Sequence, residues 1–387
     1  MKKPEKIESI SVLIPDGEPW DVVKVLRGFS KIQGMKTYIM SRTKLSFARF
    51  SRYCSGYYFN ESKNEEEWIS EIIKLVEKIK IDVVMPVTLK GIQRVSRNRQ
   101  TIEKFAAVPP MAESEKIEMS NNKWKIYEYI ENKGLSVLPT VFIGKAGEDI
   151  NDSLDLDSIE FPALLKPTSQ KGGDGIVRVE KSSELKRMWH DKRIIKGQQY
   201  ILQKFIDAER FSLSVCCKDG EIIAYTLQHV LLPSKNPYQP GKTVEYVYDE
   251  KVFEVGKKLF KAMKWNGIAD IDLLVDKRDQ EIYVLEFNPR LWQSLLGSLI
   301  AGVNIPYIWC LNALGINKSC SQSEAVKYTR PASFIKMMLS RLIGKRPPVN
   351  IRWKECDLQF TVRDPLPELF DIILKPVMWL RYGRLSQ

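Results

Sequence analysis

The chain has 387 residues, enough for two or three domains, and its 44% hydrophobic and 28% charged residues exclude a disordered protein. Its net charge of +12 favours an anionic partner, such as a nucleotide, a nucleic acid or a membrane surface. Six cysteines without a CxxC pair, together with only two histidines, exclude a zinc site and predict free thiols in a reducing cytoplasm. The N-terminal apolar run is interrupted by Asp16 and is too short for a signal peptide.

Strands and helices alternate over the first hundred residues. The predicted elements are a strand at 9–15, a helix at 21–32, a strand at 36–41, a helix at 68–79, a strand at 81–87 and a helix at 93–105. Such alternation predicts a small parallel sheet with right-handed crossovers. The segment AAVPPMAESEK, rich in proline and small residues, reads as a linker, so we expect an N-terminal βαβ domain over residues 1–110.

The pattern changes to antiparallel hairpins after a helix at 122–133. The segments FPALLKP and GIVRVEK flank a glycine loop, and long alternating runs follow at 210–230 and 267–287. Turn residues interrupt these runs at 218–220 and near 277–279. We therefore expect antiparallel sheet in the middle of the chain.

An uncharged stretch from 291 to 317 is long enough to span a bilayer. However, Gly302 is suited to ending a helix, and Asn304 followed by Pro306 is suited to beginning another. These signals favour two buried helices over a membrane span.

Acidic residues lie among the apolar residues of the predicted hairpin at 267–287. Pairing Asp276 with Ile282 leaves a five-residue loop between the strands. That register sets two opposed pairs on one face of the sheet, Asp272 with Glu286 and Asp270 with Asn288. Facing carboxylates repel unless they are protonated or bridged by a cation, and oxygen ligands of this kind suit Mg²⁺. The alternative is a solvated acidic patch.

A glycine loop follows a strand that ends near Lys166. Gly172, Gly173 and Gly175 would let backbone N–H groups approach phosphate oxygens, although the loop by itself favours a mobile hairpin turn. Two other nucleotide motifs fail. Asn236 occupies the first glycine position of a Walker A loop in NPYQPGKT, and GGDGIVR lacks the third glycine of a dinucleotide fingerprint.

Four segments in order carry a resemblance: NNKWKIYEYIENKGLSVLPT, FPALLKPTSQKGGDG, LQKFIDAERFSLSV and ADIDLLVDKRDQEIYVLEFNPR. Together they resemble the ATP-grasp superfamily, which includes D-alanine–D-alanine ligase, biotin carboxylase and carbamoyl-phosphate synthase. The resemblance covers roughly residues 122–315. It implies a fold of class α/β and α+β, in which the N-terminal βαβ domain (1–110) precedes a two-subdomain ATP-grasp fold (111–317) and a basic C-terminal extension (318–387).

The resemblance also implies roles for individual residues. Lys123 and Lys166 resemble the lysines that hold the ATP phosphates, and Gly172, Gly173 and Gly175 resemble the lid above them. The adenine hinge is matched by Gln203, Lys204, Phe205 and Ile206, the ribose carboxylate by Glu209, the metal ligands by Asp272, Glu286 and Asn288, and the arginine facing the transferred phosphate by Arg290. Gln203 departs from the glutamate that many members have, and the lid differs from the usual pattern at Lys171 and Asp174.

The implied function is an ADP-forming ligase that uses ATP with Mg²⁺ or Mn²⁺ to join a small-molecule carboxylate to an amine through an acylphosphate. Lys166 and Arg290 would act on the transferred phosphoryl group. One alternative is carboxylation through carboxyphosphate, and another is a basic protein that binds nucleic acid or a membrane surface. No nucleic-acid fold accompanies the basic charge, so no nucleic-acid partner is expected. We expect a cytoplasmic protein, and a homodimer fits this class.

The C-terminal extension contains one further pattern. Apolar residues recur at helical spacing, with cations toward the end of the segment: Leu366, Leu369, Phe370, Ile373, Val377 and Leu380, then Lys375, Arg381 and Arg384. Such a helix either packs on the protein's own domain, which we favour, or lies on anionic lipid.

Overall fold

The computed structural model describes residues 9–374, apart from residues 152, 153, 155, 171, 323 and 324. Its first part contains β1 (Ile10–Ile14), α1 (Asp21–Phe29), β2 (Met35–Ser41), β3 (Gly56–Phe59), α2 (Glu65–Ile79), β4 (Val83–Val84), α3 (Leu89–Arg97), α4 (Arg99–Ile102) and α5 (Ser114–Ser120). The strands form a parallel sheet in the order β3–β2–β1–β4, which confirms the predicted βαβ arrangement. The short edge strand β3 and the helix α5 were absent from the prediction.

A small antiparallel sheet follows. Its elements are α6 (Lys123–Asn132), β5 (Thr140–Lys145), β6 (Ala163–Pro167), β7 (Val177–Val179), α7 (Leu185–Trp189) and β8 (Gln199–Lys204). The strand order is β5–β8–β6–β7. This sheet has its own apolar core, which includes Leu165, Val177, Trp189 and Tyr200. It therefore forms a packing unit distinct from the rest of the chain.

The third sheet is the largest and contains both strands of the acidic hairpin. Its elements are β9 (Ala208–Lys218), β10 (Glu221–Leu232), β11 (Thr243–Tyr246), α8 (Glu250–Met263), β12 (Gly267–Asp276), β13 (Ile282–Asn288), α9 (Leu295–Ile300), α10 (Ile305–Ala313), β14 (Cys320–Ser321) and β15 (Val326–Thr329). The order is β13–β12–β9–β10–β11–β15, and β14 also pairs with β10. The six cysteines are free thiols, as predicted.

The uncharged stretch forms the two buried helices α9 and α10, as its capping residues predict. Gly302 between them has a φ of +92°, and the Asn304 side chain accepts a hydrogen bond from the N–H of Tyr307 at 3.4 Å. Asn304 also donates to the carbonyl of Gly28, which joins α10 to the N-terminal domain. Across the described residues, no helix is both long and apolar enough to cross a membrane.

The last described segment returns to the N-terminal domain. It contains α11 (Pro331–Leu342), α12 (Leu358–Thr361), α13 (Leu366–Leu369) and a π-helical turn at Phe370–Leu374. Asp364 is buried and accepts hydrogen bonds from Ser51 Oγ at 2.8 Å and from the N–H of Arg52 at 2.9 Å. Arg27 pairs with Asp364 at 3.5 Å and with Glu368 at 2.6 Å. These contacts hold residues 364–368 against α1 and residues 51–52.

The predicted C-terminal apolar face packs only in part. Phe370 is buried, with its ring centroid 4.5 Å from that of Phe50, whereas Leu366, Leu369 and Ile373 are exposed. The preference for internal packing was therefore wrong for these three residues, because the inward side is taken by Asp364 and Glu368. The rest of the predicted face, together with its cations, lies outside the described residues: Lys375, Val377, Leu380, Arg381 and Arg384.

We predict that Asp364→Ala lowers the free energy of unfolding by about 3 kcal/mol, because it leaves buried Arg27 without one of its acidic partners. Chemical denaturation monitored by circular dichroism measures the change. Glu61→Ala removes an exposed carboxylate and serves as the control. Equal stability of the two variants would show that the Asp364 contacts do not anchor the C-terminal segment.

Candidate active site

The acidic residues of the β12–β13 hairpin are paired as predicted, but the pairing of the residues near the turn is different. Asp272 lies opposite Glu286, and Asp270 opposite Asn288. Near the turn, however, Ile282 pairs with Val275 rather than with Asp276, so the predicted five-residue loop was wrong by one residue. A bulge between Val284 and Glu286 takes up the difference, which alternation alone does not reveal.

The carboxylates in this hairpin repel one another in a buried setting. Asp270 accepts hydrogen bonds from Ser212 Oγ at 2.8 Å and Ser214 Oγ at 2.6 Å, while burial raises its pKa. Burial, followed by the charges of Asp270 and Glu286, raises the pKa of Asp272 to about 7. A cation at this place would lower both pKa values. Among the described residues, no lysine or arginine forms an ion pair with Asp272, although the charge of Arg210 lowers its pKa in part.

The oxygen ligands Asp272, Glu286 and Asn288 have the chemistry that Mg²⁺ prefers, and all three line one cavity. Within the described residues, no group of three or more His, Cys, Asp or Glu side chains could hold a metal by itself. The neighbouring side chains show why. Lys123 Nζ lies 3.0 Å from Glu286 Oε1, and Arg290 Nη2 donates to Asn288 Oδ1 at 2.9 Å. The set fits a cation that also binds phosphate oxygens.

Two lysines lie next to the acidic hairpin. Lys123 begins α6 behind its cap Asn122, and its ammonium also donates to the carbonyl of Gln170 at 3.0 Å. Lys166 on β6 is 6% exposed and donates to Gln203 Oε1 at 2.7 Å. Burial, and then the charge of Lys123, lowers the pKa of Lys166 to about 7. A neutral glutamine cannot offset that effect as a carboxylate would.

The glycine loop forms part of the cavity wall. Gly172, Gly173 and Gly175 have φ values of +67°, +79° and +74°, a region that other residues adopt at a cost. A Cβ on Gly173 would lie 2.8 Å from Tyr238 Cβ, so the loop lies directly against the β10–β11 connection. Gly172, Gly173 and Asp174 line the cavity, and Lys171 lies outside the described residues.

The predicted adenine hinge lines the same cavity through Lys204, Phe205 and Ile206. The N–H groups of Lys204 and Phe205 donate to the carbonyls of Pro139 and Pro162 at 3.0 Å. Within the described chain, the main-chain N–H and C=O of Ile206 form no hydrogen bond. Those two groups are therefore free to meet a planar base. Gln203 lies behind the hinge, where it donates to Thr140 Oγ1.

Glu209 does not lie with the other predicted site residues. It is about half exposed, pairs with His229 Nε2 at 3.4 Å and is absent from the cavity lining. Ser212 and Ser214 of the same strand face Asp270, whereas Glu209 lies beside His229 of the neighbouring strand β10. The next residue, Arg210, lines the cavity instead. The predicted ribose contact thus has no position on the cavity wall.

The cavity measures about 1300 Å³ and extends beyond Arg290 to residues that sequence reasoning missed. This far end is lined by residues that are far apart in the sequence, including Trp20, Lys24, Tyr328, Arg330 and Asp357. Asp357 Oδ2 accepts from the Tyr328 hydroxyl at 2.8 Å, whereas its Oδ1 is buried without a partner in the described chain. Burial raises the pKa of Asp357 to about 6. No local motif marks these residues.

Arg290 contacts the acidic hairpin and lines the same cavity. One of its terminal nitrogens bonds Asn288 and the other bonds the carbonyl of Leu291 at 3.2 Å. Its Nε is buried and has no hydrogen-bond partner among the described residues. These bonds hold the guanidinium on the cavity wall beside the acidic hairpin.

Comparisons with known proteins agree with this arrangement. Residues 120–294 match the ATP-grasp domain family. The chain is 22% identical over 326 residues to the D-aspartate ligase of Enterococcus faecium, a match that covers 79% of this chain and 76% of that protein. It is 23% identical to the carbamoyl-phosphate synthase of Methanobrevibacter smithii, over 54% of this chain and 57% of that protein.

The fold is also similar to that of a solved structure, N5-carboxyaminoimidazole synthetase from Staphylococcus aureus, with a TM-score of 0.64 and 14% identity. That similarity covers 87% of this chain and 86% of the other. Residues 120–294 are therefore similar to the ATP-grasp domain, and the parallel N-terminal sheet and two antiparallel sheets agree with that similarity.

Proposed function

We propose that this protein is an ATP- and Mg²⁺-dependent ligase that joins a small-molecule carboxylate to an amine and releases ADP and phosphate. The observation that carries the proposal is the meeting of Lys123, Lys166 and Arg290 with the Asp272–Glu286 pair on one cavity wall. Cations beside opposed carboxylates suit a metal-bound polyphosphate. The similarity to a D-aspartate ligase supports the same reaction class.

In the first step, a carboxylate oxygen of the substrate attacks the γ-phosphorus of ATP, and the bond to the β–γ bridging oxygen breaks. The products are an acylphosphate and ADP. Lys123 and Lys166 would stabilise the charge of the phosphates, and Arg290 the charge of the transferred group. Asp272, Glu286 and Asn288 would hold Mg²⁺ or Mn²⁺, which neutralises phosphate charge when bound.

In the second step, the amine nitrogen attacks the acyl carbon, and the carbon–oxygen bond to phosphate breaks. The nitrogen loses a proton as the amide forms. We place the amine at the far end of the cavity, because Asp357 offers a buried carboxylate oxygen without a partner in the described chain. A carboxylate there can hold an ammonium group and accept its proton. ATP use and the free thiols support a cytoplasmic location.

The direct test is a screen of ADP release by the full chain with Mg²⁺-ATP. Amino acids, peptides, sugar acids and bicarbonate serve as candidate carboxylates, and mass spectrometry identifies any coupled product. Release of ADP with formation of an amide supports the proposal. Release that depends on bicarbonate alone would favour carboxylation, and no release with any candidate would count against a ligase.

We predict that Glu286→Gln retains the fold and lowers kcat by roughly 10² to 10³, because the neutral amide stabilises neither Lys123 nor a metal. Steady-state ADP release measures the change. The matched control is Glu281→Gln, since Glu281 lies before β13 and outside the cavity. An unchanged kcat at saturating Mg²⁺ would contradict the metal assignment.

The pH dependence should be bell-shaped near pH 7. Lys166 must keep its proton to bind phosphate, and its pKa of about 7 means that this charge is lost as pH rises. Asp272 must lose its proton to bind a cation, and its pKa of about 7 means that the carboxylate is lost as pH falls. A profile of kcat/KM for ATP reports both groups in the free protein.

Gln203→Glu separates the two limbs of that profile. A carboxylate beside Lys166 Nζ should raise the lysine pKa and move the alkaline limb up by roughly one pH unit. Gln199→Glu places the same charge at the exposed start of the same strand and should leave the profile unchanged. If both variants behave alike, Lys166 does not set the alkaline limb.

Asp357→Asn should raise KM for the amine by roughly tenfold, since a charged hydrogen bond is lost, while KM for ATP stays within about twofold. Initial rates with each substrate varied in turn provide the measurement. An equal rise in both KM values would indicate a general structural defect, and no rise in either would remove Asp357 from the amine site.

A further inference from the structure

Exposed apolar side chains are concentrated near the C-terminal end of the described chain. Of the fifteen large apolar side chains that are exposed in the described residues, eleven lie within residues 335–373. Five of them belong to α11 and the residue after it: Ile335, Met338, Leu339, Leu342 and Ile343. Their spacing of three and four residues places them on one side of the helix. We call this row the outer face of α11.

The fold does not need the outer face for packing. The opposite side of α11 already buries Phe334 and Met337 against Ile351 and Cys356. Leu342 is 79% exposed and Ile343 is 68% exposed. An apolar row of this size is unusual on a soluble monomer and marks a contact surface.

A second exposed group lies in the segment that docks on the N-terminal domain. It consists of Leu366, Leu369, Ile372 and Ile373, in addition to Val362. Ile372 also lines the large cavity, so this apolar surface reaches the cavity wall. This second group and the candidate active site are therefore adjacent.

The exposed charges of residues 331–374 are of one sign in the described structure. Four acids are engaged inside the protein, Glu355 by Arg352, Asp357 by Tyr328, and Asp364 and Glu368 by Arg27, and a fifth, Asp371, is half-buried. The cations Lys336, Lys345 and Arg346 are exposed beside the outer face. An apolar face with a cationic rim complements anionic lipid.

We propose that residues 331–374 dock this protein on the surface of an anionic membrane, with the outer face of α11 inserted among the lipid headgroups. A second copy of the chain is a poorer occupant, because a two-fold contact would bring the same cationic rims together. A crossing helix is not needed, in keeping with the absence of one from the described residues. This inference does not rest on the proposed reaction.

The test is co-sedimentation of the full chain with vesicles of phosphatidylcholine alone or with 30% phosphatidylglycerol. We expect binding to the anionic vesicles that weakens as salt is raised. The double variant Leu342→Ser/Ile343→Ser should bind at least tenfold more weakly, and Lys345→Glu/Arg346→Glu should bind weakly at low salt. Phe59→Ser/Phe105→Ser, which removes two exposed rings elsewhere, should bind like the unmodified chain.

Thermal unfolding of each variant checks the fold, and light scattering checks the oligomeric state. Three outcomes overturn the proposal. The full chain does not bind anionic vesicles at low salt, the Leu342→Ser/Ile343→Ser variant binds them undiminished, or that variant loses a dimer that the unmodified chain forms. Equal binding to both vesicle types would overturn the role of the cationic rim.

Discussion

Repulsion among Asp270, Asp272 and Glu286 is the constraint on which the rest of the site depends. The β12–β13 pairing forces these carboxylates onto one face, where burial makes their charges costly. The surrounding residues act as countercharges or donors: two serines on β9, Lys123 at the start of α6, and Arg290 after β13. The same cations would attract a polyphosphate, so the residues that offset the repulsion among the carboxylates also form a ligand site.

Much of this arrangement was predictable because it follows from local periodicity. Alternation along a strand set the faces of Asp272 and Glu286, and strand–helix alternation set the N-terminal sheet. The bulge beside Leu285 was not predictable, because a strand can gain a residue without a change in its apolar pattern. The ribose-binding role of Glu209 was inferred from the order of the family motifs, whereas in the structure its side chain pairs with His229. Asp357 is the clearest omission, because contacts between distant segments create its environment.

The lysines illustrate how environment, not residue type, sets chemistry. Lys123 lies against a carboxylate, whereas the buried Lys166 meets only the neutral amide of Gln203. Burial and the nearby charge of Lys123 lower the pKa of Lys166 below that of an ordinary lysine. The glutamine on β8 could be read in the sequence, whereas its contact with Lys166 could not.

The wall of the large cavity includes residues from Pro19 to Ile372. The ion pair between Arg27 and Asp364 joins the N-terminal and C-terminal segments that contribute to this wall. A consequence concerns biosynthesis. While the ribosome still holds residues 357–372, the N-terminal sheet can fold but the cavity lacks the wall that Asp357 and Ile372 supply. The complete pocket can form only once Ile372 has left the ribosome, so a shorter nascent chain carries no assembled site.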